Sequence, residues 1–260
     1  MSTSLSAINT HPVSGVLFDG PLWQDSAPQG PRPSVVILDL FGTLVAAPSQ
    51  AERNVAAIRF AEAMRVLPTV AESALSDSWR VRHDGRLKST TEVAAYLVAR
   101  CDAPASHVTK VEQLLAELAR DRLQADASLL RVLKELRHGG VRLAVLSDAS
   151  PDIAEAWSHS DLAPHFDAAV FSCRASAVKP APQLFGAALE ALGVASKQAL
   201  YCGDGGGDEL AGAERAGMRV VRVERRGGQH RLAFGETAWL GRAVPDVEAL
   251  PSLLNMWGDR

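Results

Sequence analysis

From residue 34 onward, apolar runs of strand length alternate with amphipathic helical stretches, and this alternation admits few folds. Val35–Leu38, Val141–Leu146, Ala168–Phe171, Ala199–Cys202 and Arg219–Val223 are short apolar runs bounded by turn formers, which predicts strands. Helical spacing fills the intervals at Leu129–Arg137, at Pro151–Trp157 behind a Ser150 cap, at Gln183–Leu192 and at Leu210–Ala216. Gly193 and Gly217 follow two of these stretches as helix terminators. Such alternation predicts an α/β core, a parallel sheet with helices on both faces.

Two stretches break the pattern. Residues 49–126 are dominated by Ala, Glu, Leu and Arg without a strand signal, so they predict a helical module inserted between the first two strands. The α/β core then comprises residues 34–48 and 127–260. Residues 1–33 carry Pro12, Pro21, Pro28, Pro31 and Pro33 and predict a loosely ordered extension. Within it, Val16-Leu17-Phe18-Asp19-Gly20 imitates a strand ending in a carboxylate, but Pro21 and Pro28 argue against a regular element after it. The 27 basic and 30 acidic residues give a net charge of −3, which offers no support for a nucleic-acid footprint. Cys101, Cys173 and Cys202 are scattered and odd in number, as expected of free thiols in a reducing, cytoplasmic setting. No apolar run is long enough to span a membrane.

In an open α/β sheet, chemistry collects beyond the carboxyl ends of the strands. The first predicted strand delivers Asp39 to that edge, and a Gly42-Thr43 turn swings backbone around the carboxylate, an arrangement suited to a nucleophile. The second strand ends in Ser147-Asp148, and the third is followed by Lys179-Pro180. The fourth runs into Gly203-Asp204-Gly205-Gly206-Gly207-Asp208-Glu209. Taken singly, these are a turn former, a helix cap, a solvated lysine and a surface loop. Their order and shared location at strand ends favour one site. An acidic glycine-rich loop favours a cation, and two carboxylates on neighbouring strand ends repel unless one lies between them.

These motifs resemble, in order, the four of the haloacid dehalogenase superfamily: Asp39-Leu40-Phe41-Gly42-Thr43, Ser147, Lys179-Pro180, and Gly203-Asp204 with Asp208-Glu209. The resemblance runs from about residue 34 to 255. It implies a Rossmann-like α/β core with an inserted helical cap. The implied activity is that of a magnesium-dependent phosphatase, hydrolysing a phosphoric monoester or acyl phosphate of a small metabolite through an aspartyl-phosphate. By similarity Asp39 is the nucleophile, Ser147 hydrogen-bonds the phosphoryl group, and Lys179 neutralises charge on it. Leu40, Phe41, Thr43 and Asp148 are implied to line the same pocket. Mg2+ would be held by Asp39, the main-chain carbonyl of Phe41, Asp204 and an acid of the fourth motif. That acid falls at Asp208 or Glu209, and Asp208 is taken to complete the set. Neither a nucleic acid nor a membrane is implied as a partner.

Departures from the family pattern narrow the chemistry. Phe41 stands where the family's phosphatases place a second Asp that protonates the leaving oxygen and activates water. General acid–base help is worth roughly 10²–10⁴-fold, so poor leaving groups lose most from its absence. Acyl phosphates, anhydrides and activated aryl esters lose least. Arg174, Ser176 and Ala181 also depart from the usual third motif. An aromatic at position 41 also fits the superfamily's 2-haloacid dehalogenases, which use the same aspartate without a metal; the retained Gly203-Asp204 favours the metal-dependent chemistry instead. A catalytically silent binding protein on the same fold is a third reading. In the insertion, Trp79–Leu87 is the densest polar cluster. It reads as a solvated loop with Trp79 in the helical core, or as cationic contacts facing the cleft, with His83 as a base reaching over the site. Arg222–Arg226 is expected on a solvated edge, and Val247–Leu254 as a short closing helix.

Overall fold

The computed structural model describes residues 30–224 and 239–257. The Val16–Gly20 segment, nearly all of the expected extension, and Arg225 and Arg226 lie outside them. Strand β1 (Val35–Leu38) is followed by α1 (Gln50–Met64), α2 (Pro68–Asp77), α3 (Trp79–His83), α4 (Thr90–Arg100) and α5 (Val108–Arg122). Then come α6 (Ala127–His138), β2 (Arg142–Ser147), α7 (Pro151–Ala156), β3 (Ala168–Phe171), α8 (Ser172–Ala175) and α9 (Pro182–Leu192). The chain continues through β4 (Ala199–Gly203), α10 (Glu209–Arg215), β5 (Arg219–Val223), β6 (Ala243–Val244) and α11 (Leu250–Asn255).

The strands form one parallel sheet in the order β3-β2-β1-β4-β5-β6. The chain moves from β1 outward through β2 and β3, then returns to the other side of β1 for β4. Strand order therefore reverses beside β1, which opens a crevice at that edge. Register decides what meets there. Leu38 lies opposite both Val145 and Cys202, so Asp39 is level with Leu146 and Gly203, one residue short of Ser147 and Asp204. The Asp39 N–H donates to the Cys202 carbonyl at 2.9 Å, which carries the ladder up to the nucleophile candidate.

Side chains alternate between two cores because strand residues point to opposite faces. Val36, Leu38, Leu143 and Val145 pack with α6, α7 and α11, while Val35, Ile37, Ala144 and Leu146 pack with α9 and α10. All four residues of β1 are therefore fully buried, which explains why it reads as a continuous apolar run. The α1–α5 insertion has its own core, including Phe60, Met64, Val93, Leu97 and Val111. Helix α1 starts at a capping box, with Ser49 and Glu52 each bonding the other's backbone. At the far end of the insertion Ala119 and Leu123 join the sheet's core, tying the two together. A second tie is polar: Thr90 donates its N–H and hydroxyl to the Glu155 carboxylate of α7, at 3.1 and 2.5 Å. Among the described residues no helix is long and apolar enough to cross a membrane.

Three local expectations are corrected. Residues 79–83 form the short helix α3 rather than a loop, and Trp79 is half-buried, stacked on His83 at 4.5 Å instead of sitting in the insertion's core. Arg222 is not on a solvated edge, because β6 adds itself outside β5; its N–H donates to the Arg242 carbonyl and its side chain is 16% exposed. Ser150 holds the N-cap position of α7 with extended backbone, but its hydroxyl makes no cap bond.

Candidate active site

The crevice beside β1 gathers four charged side chains that are almost wholly out of water. Asp39 is 4% exposed, Asp204 5%, Lys179 8% and Glu209 0%. Lys179 Nζ donates to Asp39 Oδ1 at 2.5 Å and also to Glu209 Oε2. Thr43 Oγ1 donates to the other oxygen of Asp39, Oδ2, at 3.1 Å. Tyr201 Oη donates to Glu209 Oε2 at 2.7 Å, and the Gly205 N–H donates to Oε1 at 3.0 Å. Asp204 Oδ1 accepts the Gly206 N–H at 2.9 Å. Carboxylate oxygens of Asp39, Asp204 and Glu209 all lie within 4.8 Å of one another.

Local backbone makes this crowding feasible. After β1 the chain folds into a tight loop in which the N–H groups of Leu44 and Val45 both donate to the Leu40 carbonyl, and Gly42 N–H to that of Val45. Gly42 adopts a φ of +91°, and a Cβ there would stand 1.9 Å from Asp204 Oδ2. Glycine is thus required twice over, for its left-handed backbone and for the carboxylate pressed against it. At Gly203 only the second of these needs applies, since the Oε1 of Glu209 would be 2.1 Å from an added Cβ. The loop after Asp204 passes through left-handed Gly205, Gly207 and Asp208 and so turns α10 back toward the sheet.

Electrostatics follows from burial. The carboxyl of Asp39 is pushed well above its ordinary range, first by desolvation, then by Glu209 and Asp204, with Lys179 opposing. Burial by itself would lower the Lys179 ammonium, but Asp39 and Glu209 outweigh it and hold the pKa well above the usual lysine range. Desolvation also raises the Asp148 carboxyl, whose Oδ1 accepts the Lys179 N–H at 3.0 Å. Three carboxylates against one ammonium give a formal charge of −2 in a space too dry to disperse it. Hard oxygen donors carrying that charge fit one divalent cation, Mg2+ being the common choice for such sets.

The structure therefore brings together Asp39, Thr43, Lys179 and Asp204, and sets Ser147 at the adjacent strand end with 1% exposure. Asp148 joins them at one remove, against the backbone of Lys179. Leu40 is fully buried in the core, so only its main chain can face the crevice. Phe41 is half-buried and packs its ring on the sheet's core. The expectation at Asp208 is corrected: it is exposed in a left-handed turn, and the next residue, Glu209, sends its carboxylate into the cluster. Tyr201 was not expected at all. It lies in an apolar strand, and its only sequence signal is the glutamate eight residues later, which nothing local connects to it.

Residues 33–217 match the family model of haloacid dehalogenase-like hydrolases. A phosphoserine phosphatase of Thermus thermophilus is 39% identical over 94 residues, which is 36% of this chain and 38% of that enzyme. The match thus spans well under half the length of that relative. Among solved structures, an L-2-haloacid dehalogenase from Xanthobacter autotrophicus, with chloropropionic acid covalently bound, superposes with a TM-score of 0.59 at 20% identity. It covers 86% of this chain and 98% of that one. A HAD phosphatase from Thermococcus onnurineus gives a TM-score of 0.58 at 20% identity, covering 85% of this chain and 97% of the other. At such identities these two neighbours share the fold.

Proposed function

Because the chain belongs to the haloacid dehalogenase-like hydrolases, we propose that it is a magnesium-dependent phosphatase working through a phosphoryl group carried on Asp39. The observation that carries this reading is the buried triad Asp39, Asp204 and Glu209 with a formal charge of −2 after Lys179 is counted. A displacement that needs no metal has no use for three converging carboxylates. Asp39, Asp204, Glu209 and the main-chain carbonyl of Phe41 would hold the ion, with Glu209 taking the place expected of Asp208. When bound, Mg2+ supplies positive charge to the phosphoryl oxygens.

The chain's own residues account for the other requirements. An Asp39 carboxylate oxygen attacks phosphorus, the bond to the leaving oxygen breaks, and that oxygen departs with its electron pair. Thr43 holds Asp39 Oδ2 and so fixes the plane of the attacking carboxylate. Lys179 has three N–H bonds; two reach Asp39 and Glu209, leaving the third for a phosphoryl oxygen. Ser147, one residue beyond the level of Asp39, donates its hydroxyl to the same group. Tyr201 orients Glu209 through its 2.7 Å bond. Water then attacks phosphorus, the bond from phosphorus to the Asp39 oxygen breaks and restores the carboxylate, and the water's proton leaves with the phosphate or to solvent. Helices α1–α5 form the cap over the crevice, on the 49–126 boundaries, and select the substrate, a small phosphorylated metabolite.

Phe41 offers no proton to the leaving oxygen, so the preferred substrates are those that leave without one, acyl phosphates or activated aryl esters. A substrate panel tests this with Mg2+ supplied or withheld by chelator. Acetyl phosphate and p-nitrophenyl phosphate should turn over with the metal, and sugar phosphates should do so at least 10²-fold more slowly, about the lower bound for a missing general acid. Equal rates on both classes would remove the role assigned to Phe41. Aromatic Phe41 also favours a second reading, displacement of halide from a 2-haloacid by Asp39. Halide release in the presence of chelator would establish that reading in place of the first.

A further inference from the structure

The seam where α3 and α5 meet α7 holds charged groups that the Asp39 site leaves unused. Asp152, in the first turn of α7, is 4% exposed, and its Oδ1 has no hydrogen-bond partner. Arg82 of α3 and Arg122 of α5 both act electrostatically on that carboxylate. Among the described residues no ion pair joins either arginine to it, so a gap separates them. Arg82 spends donors on the hydroxyl of Ser78 at 2.9 Å and the Leu75 carbonyl at 2.8 Å, neither of which carries charge.

Neighbouring groups do not fill the gap. His83 is uncharged at neutral pH, held down to about 3 by burial and by Arg82. Glu52 is engaged by Ser49, Glu155 by Thr90, and Asp84 by Arg86. Arg53 adds further positive charge beside Arg122. Two guanidinium groups thus face one carboxylate, leaving excess positive charge and one unused acceptor oxygen in a desolvated place. Separated buried charges are costly, and a ligand carrying both an anion and a donor relieves both deficits together.

Position links this seam to the phosphoryl site. Asp152 follows Ser147 by five residues on the same β2-to-α7 connection. Arg80, two residues before Arg82, acts on Asp148, which in turn holds the Lys179 backbone. We propose that the seam anchors the non-reacting end of the substrate. Arg82 and Arg122 take a free carboxylate, and Asp152 Oδ1 takes an amine or hydroxyl donor beside it. The substrate class is then a small acyl phosphate that also carries a free carboxylate and, beside it, an amine or hydroxyl. This assignment rests on the phosphatase reading for what happens to the ligand, but not for its binding.

Calorimetric titration in chelator separates the two, since it needs neither metal nor turnover. Glycerate, carrying carboxylate and hydroxyl, should bind more tightly than propionate, and glycerol should not bind. Arg122→Met should weaken glycerate by about tenfold or more, the lower bound for one charge-assisted hydrogen bond. Asp152→Ala should abolish the preference for glycerate over propionate. Glycerate binding no better than glycerol, or binding equally well to Arg122→Met, overturns the assignment. Should either variant fail to fold, the three-ligand series on the unmodified protein decides. Glycerate binding without any hydrolysis of acetyl phosphate in Mg2+ would retain the seam and reject the phosphatase reading.

Discussion

Lys179→Met is the most informative single change, because Lys179 is the one cation that contacts the triad among the described residues. Its ammonium bonds both Asp39 and Glu209, and its side chain is 5% exposed. Removal takes the formal charge of the cluster from −2 to −3 while leaving the carboxylates in place. Breaking a buried ion pair by deleting one partner costs about 3–5 kcal/mol. Proton uptake by Asp39, whose pKa is already raised, relieves part of this and favours the lower figure. At about 2–4 °C per kcal/mol for a chain of this size, the melting temperature in chelator should fall by roughly 6–20 °C. Mg2+ should then act in the opposite sense. It enters a more negative site with no ammonium to oppose it, so it should raise the melting temperature of the variant by more than that of the unmodified protein. Differential scanning calorimetry at neutral pH, with chelator and then with Mg2+, reads both effects. Unchanged melting in chelator, or a Mg2+ shift no larger than that of the parent, would refute the account of a charge-deficient metal site held in balance by one lysine.

Three further outcomes follow from the same geometry. Asp39, Asp148 and Asp152 all carry pKa values raised above the ordinary 3.8, chiefly by burial, so each of these three groups binds more proton in the folded state than in the unfolded one above that pH. His83, held down to about 3 against an ordinary 6.5, acts in the opposite sense between those values, and Glu52 and Asp84 do so weakly. The carboxyl effect is therefore read against Asp39→Asn: relative to that variant, the unmodified protein in chelator should lose stability as pH rises from about 3.8 toward neutrality. Mg2+ should flatten this difference; a difference that instead moves in favour of the unmodified protein as pH rises without metal would contradict the burial argument. Gly42→Ala forces a Cβ against Asp204 and strains a left-handed backbone by about 1–3 kcal/mol, so it should abolish the Mg2+-induced thermal shift. Phe41→Asp places a proton donor two residues after the nucleophile and should raise kcat/KM on a sugar phosphate by roughly 10²–10⁴-fold, read in a phosphate-release assay.

Much of the fold was legible because its signals are local. Strand length, helix period and terminating glycines are written within windows of a dozen residues, and β1, β3 and β5 begin and end where their apolar runs do. The two-residue β6 was not legible, since Ala243-Val244 carries no periodicity and becomes a strand only by pairing with Arg222 and Val223. Helix α3 was hidden because Trp79–His83 is too short and too basic to show an apolar face; what it buries is His83, whose ring bonds the Trp79 carbonyl one turn back, while the half-buried Arg82 bonds the Ser78 hydroxyl.

The candidate site divides along the same line. Sequence alone determined that Asp39, Ser147 and Asp204 stand at strand ends, and a parallel sheet aligns its strand ends along one edge, so their convergence needed no coordinates. Lys179, eight residues past β3 and beyond α8, reaches them only through the folded connection. Tertiary structure decided between Asp208 and Glu209. Adjacent residues of a loop entering a helix point in different directions, and only the path through Gly205, Gly207 and Asp208 determines which carboxylate turns inward. It also joined Tyr201 to Glu209 and brought Arg82 and Arg122 within electrostatic reach of Asp152, placements of residues whose separation in the chain carries no periodic mark. What a residue is bonded to across such distances depends on how whole elements pack, and packing is a property of the assembled fold.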